Sequence, residues 1–179
     1  MVLSRYTRLG RHRATLGSAG GRFTRLGKVS RGPRPAQHVG STALSMMTRA
    51  PRPVLLLEPG ISVRAPSLVF FDGSQTARET LSVAAELSKA CGDGLIVLIA
   101  TSASQTVRQL QKEADETLTD RGVDARYRTI ASVNVQPLIN VAKLEGAGVL
   151  ILPRTSRFIE RQDFQNLIAE VRCPVFVVG

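Results

Sequence analysis

Few residues in this sequence can do chemistry, and three of them are adjacent: Asp72, Gly73 and Ser74, at the end of the apolar run Ser67-Leu-Val-Phe-Phe71. A helix-forming stretch, Thr76 to Ala90, follows. A buried strand, a tight turn and a helix start make the first half of a βαβ unit. At the carboxyl end of a strand a carboxylate can accept hydrogen bonds from a ligand, or from the first turn of the helix as a cap. The rest of the inventory is thin. Both histidines, His12 and His38, lie in a basic N-terminal stretch, which leaves the remainder without an imidazole for a metal site or a nucleophile's base and argues against a hydrolase triad. Cys91 and Cys173 are far apart in sequence and read as reduced packing residues. After the first strand Asp-Gly-Ser-Gln-Thr-Ala supplies one glycine where a dinucleotide fingerprint needs three, and Gly27-Lys28-Val29 lacks the hydroxyl and the upstream glycine of a phosphate-binding P-loop. Paired carboxylates that could hold Mg²⁺ are not evident at the strand ends. No enzyme is expected.

The elements that hold the Asp-Gly-Ser turn follow from periodicity. Ala77, Leu81, Ala84 and Ala85 line one face of a helix ending near Cys91-Gly92, and Gly94 to Ala100 is a strand apolar on both faces. Val107, Leu110, Ala114 and Leu118 mark a second helix. Ala125 to Ile130 alternates, with Arg126 and Arg128 on one side, as a sheet edge does. Asn134 caps a third helix, Gly148 to Leu152 is another buried strand, and a helix ending at Val171 leads into the closing strand Pro174 to Val178. The fold expected for 67–179 is α/β: a doubly wound five-stranded parallel sheet in the order 3-2-1-4-5, with helices on both faces.

The charge is split along the chain. Residues 1–52 hold ten Arg, one Lys and no acid, whereas the remaining residues hold 13 basic and 14 acidic side chains, so the net +10 belongs to an arm and not to the domain. Residues 1–36 are Arg, Gly, Ser and Thr with scattered Leu and are expected to be mostly disordered. Such an arm is compatible with a mitochondrial transit peptide, with a phosphate-backbone binder or with the end of another domain. No apolar run reaches the roughly 18 residues of a membrane span, and no secretory signal is present. The protein is expected to be soluble and cytoplasmic, or in the mitochondrial matrix if the arm is a transit peptide.

The segment 37–60 favours the third reading. Ala43, Met46, Met47 and Ala50 share the spacing of Phe164, Leu167, Ile168 and Val171, and Pro53-Val-Leu-Leu-Leu57 repeats the layout of Pro174-Val-Phe-Val-Val178. Laying Pro53 on Pro174 makes the apolar positions coincide, an internal repeat.

The strand-Asp-Gly-Ser-helix opening, the segment Asn134 to Leu152 with its Glu-Gly-Ala-Gly turn, and the terminal Cys173-Pro174-aliphatic strand together resemble the universal stress protein family over essentially all of 67–179. The resemblance implies ATP binding, with Asp72, Gly73 and Ser74 on the adenine side and a loop G-x2-G-x9-G-[ST] after the fourth strand around the phosphates. That loop is not matched: Pro153-Arg154-Thr155-Ser156 follows the strand, the connection is several residues shorter, and Arg161-Gln162 stands where Gly-Ser would. A phosphate cradle needs close backbone N–H groups at φ values that other residues resist, so ATP is expected to bind weakly at best. In the upstream repeat Gly27, Gly40 and Ser41 fit the loop, with Ser30 in place of its second glycine, as the phosphate-loop remnant of a truncated first domain in a tandem chain. The strand that should precede Gly27, Arg22 to Leu26, is too basic to be buried.

The resemblance further implies that the last strands of two domains meet antiparallel. Val175–Val178 is therefore expected to pair either with Val54–Leu57 of the same chain or with a second chain. The function expected is a non-catalytic regulatory or interaction module with a degenerate nucleotide site. The alternatives are an ATP-binding universal stress protein or nucleotide-dependent enzyme on the same sheet, and a nucleic-acid binder using the basic arm, the latter disfavoured by the neutral domain. Limited trypsin digestion should clear the arginines of residues 1–25 before any site in 67–178; equal cutting of both parts would contradict the division.

Overall fold

The computed structural model describes residues 24–27, 41–57, 60–92, 94–101, 103–131 and 134–179. In chain order the elements are β1 (Thr24–Gly27), α1 (Ser41–Arg49), β2 (Val54–Leu57), β3 (Ser67–Phe71), α2 (Gln75–Cys91), β4 (Leu95–Ala100) and α3 (Ser104–Thr119). There follow β5 (Ala125–Ile130), α4 (Val135–Leu144), β6 (Val149–Pro153), a 3-10 turn (Arg157–Ile159), α5 (Arg161–Glu170) and β7 (Val175–Val178). No helix among the described residues is long and apolar enough to cross a membrane.

All the strands join one sheet in the order β1-β2-β7-β6-β3-β4-β5. From β3 onward the pairing is parallel, and counting those five strands from β3 gives the expected order 3-2-1-4-5. Strands β3, β6 and β7 are buried at every position, as strands covered on both faces must be. One core layer, beneath α1, α4 and α5, holds Met47, Phe70, Leu138, Phe158, Phe164 and Ile168. The other, beneath α2 and α3, holds Phe71, Leu81, Ala85, Leu110, Val149 and Phe176. The alternating β5 is an edge strand, as its pattern requires: Arg126 and Arg128 reach Glu145 at 3.5 and 2.5 Å on one face, and Tyr127 donates to Asp115 on the other.

The helix and strand read within 37–60 are α1 and β2, and they enlarge the sheet from five parallel strands to a mixed one. β2 runs antiparallel to β7, with Val54 opposite Val177, Leu55 opposite Phe176 and Leu56 opposite Val175. The pairing is symmetric about Leu55 and Phe176 when Val54 is equated with Val175. The same equation holds one strand further out, where Thr24 faces Val54 in β1 and Leu150 faces Val175 in β6. The repeat seen in the sequence is thus a repeat of β-α-β structure about a local twofold.

Strand β1 falls in the stretch Arg22–Leu26 and Gly27, which the sequence marked as a strand position too basic to be buried. Thr24–Gly27 pairs in parallel with β2 at the outer end of the sheet. Backbone hydrogen bonding, not side-chain burial, suffices to recruit an edge strand, so a basic sequence is admissible there. The remainder of the basic arm, residues 1–23 and 28–40, lies outside the described residues.

The linker to β3 crosses the amino ends of β7 and β6. There Gly148 donates its N–H to the Pro66 carbonyl at 2.8 Å, and a Cβ on Gly148 would stand 2.1 Å from the Arg64 carbonyl oxygen. Only glycine admits this approach.

Val54 and Leu56 are fully buried, which contributes about 3 to 6 kcal/mol to holding β2 on β7. Deleting residues 1–60 should therefore bare the β7 edge and convert the protein from mainly monomer to dimer or aggregate by light scattering; an unchanged mass would show that β2 is not what protects that edge.

Candidate functional site

The sheet's topology reverses between β3 and β6: the chain leaves β3 for α2 on one face and leaves β6 for α5 on the other. A crevice outside the carboxyl ends of two such strands is where open α/β sheets take ligands. Asp72, Gly73 and Ser74 stand on its β3 side, as the sequence placed them.

Their roles differ from the expected ones in detail. Ser74, not Asp72, caps α2, its hydroxyl accepting from the Ala77 N–H at 3.1 Å. Asp72 is exposed and accepts the Ser74 N–H at 3.0 Å, closing a small side-chain turn that shapes the loop. Gly73 sits at φ +78°, and a Cβ there would come within 2.5 Å of Leu110 Cδ2. Helix α3 therefore leans directly on the turn. Beside it Arg78 bonds Glu113 at 2.9 Å, and this hydrogen bond holds the Glu113 carboxyl below the usual carboxylate range.

The β6 side of the crevice is bordered by the connection that follows β6. After Pro153 the chain enters a short connection in which Ser156 accepts the Phe158 N–H at 3.3 Å, and Phe158 and Ile159 turn inward to complete burial or nearly so. The Phe158 ring stands edge-on to Phe70 of β3, with centroids 5.0 Å apart and planes at 89°, a favoured aromatic geometry. On the other side Gly179, just past β7, lies between Thr76 and Arg154: a Cβ on it would be 2.9 Å from Thr76 Cγ2 and 3.1 Å from Arg154 Cβ.

Arg154 is the residue that sequence reasoning missed. Its backbone N–H extends the ladder by donating to the Val178 carbonyl at 2.7 Å. Its guanidinium is turned away from the crevice, donating to the Ala50 carbonyl and, at 2.9 Å, to the Arg52 carbonyl. These are the carbonyls at the carboxyl end of α1, where a cation also meets the helix dipole. The Nε atom is buried without a partner, and burial pushes the guanidinium's pKa down, though an arginine so placed stays charged. A lone Arg after an apolar strand carries no sign of such a target; the neighbouring Phe158-Ile159 pair, apolar within a polar loop, was the available signal.

The three residues assigned to an upstream phosphate loop are only partly within view. Gly27 is the last residue of β1 and Ser41 the first of α1, so they bracket the connection that corresponds to the one from β6 to α5. Gly40 lies outside the described residues. Two open surface depressions lie away from the crevice, one between α2 and α3 and one beneath the linker at the amino ends of β6 and β7. No cluster of three or more metal-binding side chains occurs among the described residues.

No protein-family model matches the sequence, and no curated protein does. Solved structures do match. A universal stress protein from Archaeoglobus fulgidus DSM 4304 superposes with a TM-score of 0.67 at 17% identity, over 88% of this chain and 60% of the other. The chain has the universal stress protein fold. A universal stress protein solved in complex with cAMP aligns at TM-score 0.56 and 18% identity, over 66% of this chain and 98% of its own. One from Archaeoglobus fulgidus in complex with dAMP aligns at 0.54 and 14%, over 66% and 100%. Those shorter chains are matched almost end to end, whereas the present chain spans three-fifths of the longer one. Within residues 67–179 the Asp-Gly-Ser turn follows the first strand, β3, and the 153–160 connection follows the fourth, β6.

Gly73→Ala should destabilise the protein by about 1 to 3 kcal/mol, because a left-handed backbone is imposed on a residue with a Cβ and Leu110 must move. Denaturant unfolding measures this; an unchanged midpoint would mean that α3 does not bear on the turn.

Proposed function

We propose that this chain is a non-catalytic regulatory or interaction module of the universal stress protein family, in which the nucleotide site of the complete domain is kept on the adenine side and closed on the phosphate side. The observation that carries the reading is the connection after β6. Where a phosphate cradle would need glycines presenting backbone N–H groups, Phe158 and Ile159 are buried. Arg154, a cation at the mouth of that connection, is committed to the Ala50 and Arg52 carbonyls. Asp72 remains exposed at the end of β3 and able to accept hydrogen bonds. That related folds have been solved with cAMP and dAMP supports nucleotide as the ligand class for which this crevice was first shaped.

Residues 24–57 read, on the same proposal, as the closing β-α-β of a first domain. The matched registers of β1 with β2 and of β6 with β7 support this, as does the symmetric pairing of β2 with β7. Gly27, Gly40 and Ser41 are then the ends of that domain's phosphate loop.

Isothermal calorimetry of the whole chain tests the reading. ATP should bind more weakly than about 100 μM, an affinity worth about 5.5 kcal/mol, and Asp72→Ala should change it little. Micromolar affinity abolished by Asp72→Ala would overturn the proposal in favour of a working ATP site.

A further inference from the structure

We propose that β1, α1 and β2 present a docking surface for a β-α-β-α-β-α segment of the same fold, whose leading strand runs parallel to β1 and whose helix beside α1 ends in an acidic side chain. The inference rests on reading residues 24–57 as the counterpart of the chain's last three elements, and it goes beyond that reading by naming what the counterpart lacks.

In the complete half three neighbours cover β6, α5 and β7. β3 pairs with β6 in parallel, Ser67 to Val69 against Val149 to Ile151. α4 lies beside α5, tied by Lys143 to Glu170 at 2.7 Å. α2 packs over β6 and β7 and buries Phe176. None of the three has a counterpart among the described residues of the other half. β1 is the last strand of the sheet, so its outer edge has no paired strand there. Ala43 and Met46 of α1 are half-buried, where the corresponding Phe164 and Leu167 are fully covered. Leu55 is half-buried, where Phe176 is covered. Among the described residues one strand edge, one helix flank and one sheet face thus lie side by side without the covering their counterparts have, and the covered half shows the shape of what closes them.

Charge identifies the occupant further. Arg49 stands at the position of Glu170, is exposed, and has no carboxylate partner among the described residues. A segment like the chain's own 67–148 would bring Lys143 against Arg49, a like-charge contact that disfavours a second copy. A segment carrying Glu or Asp at that place reverses the sign and restores the tie between the two helices.

The test keeps the whole chain and inserts a second copy of residues 67–148, carrying Lys143→Glu, between Arg22 and Phe23, the junction that mimics Gly148-Val149. Trypsin should cleave this insert at least tenfold more slowly than a control insert with Leu68→Asp and Val69→Asp, and helical circular dichroism should rise with it. Reverting the insert's Glu to Lys should lose most of the protection. Cleavage as fast as the control would overturn the docking surface. Equal protection of the Lys and Glu inserts would overturn the role of Arg49. Light scattering that finds the parent chain already dimeric, with the dimer tightened by Arg49→Glu, would make a second copy the occupant and overturn the proposal. None of these results depends on ATP affinity, so failure here is distinguishable from failure of the nucleotide reading.

Discussion

A strand as apolar as Val175–Val178, buried at all four positions, cannot keep one edge in water. Its unpaired N–H and C=O groups and the side chains around them need a partner, and a free edge of this kind invites association with other chains. β2 meets that need within the molecule. Much else follows from it: α1 is carried onto the same face as α5, the linker is drawn under the amino ends of β7 and β6, and Arg154 finds carbonyls within reach. β2 meets β7 in a register symmetric about Leu55 and Phe176, so an antiparallel strand of the same chain covers this edge.

The crevice is governed by the same neighbourhood. Arg154 is positioned by a ladder bond to Val178 and aimed by the end of α1, so the fate of its charge is decided by residues about 100 positions earlier. Phe158, from the connection after β6, packs edge-on against Phe70 of β3. The connection after β6 thus gives side chains to both the seam and the core: Arg154 to the carbonyls of Ala50 and Arg52, and Phe158 to the layer beneath α4 and α5.

Much of the fold was legible in the sequence because strands covered on both faces leave uninterrupted aliphatic runs, and Gly92, Gly122 and Gly146 end helices or turns with positive φ. The Asp72-Gly73-Ser74 turn was legible for the same reason, since it follows an unmistakable strand. The internal repeat was visible at Ala43 to Leu57 through spacing alone. β1 was not, because an edge strand is recruited through its backbone and Thr24-Arg-Leu-Gly27 has no side-chain pattern to declare it. Nor was the capping role of Ser74 over Asp72, which depends on the dihedral angles of one residue. Arg154 was illegible in principle: its targets are main-chain carbonyls far away in sequence, and no residue type advertises a carbonyl.

The seam between β2 and β7 also sets a clock. Val54–Leu57 is made early and Val175–Val178 last, so on a ribosome adding about 5 to 20 residues per second the first strand waits on the order of 6 to 25 s for its partner to exist. During that interval four consecutive aliphatic residues with high strand propensity are in the nascent chain without their pairing edge. Pro51 and Pro53 before them, with Arg49 and Arg52 interleaved, are the residue types that keep such a segment from pairing with the wrong neighbour while it waits. The basic, proline-punctuated approach to β2 thus has a use at birth that the finished fold no longer displays.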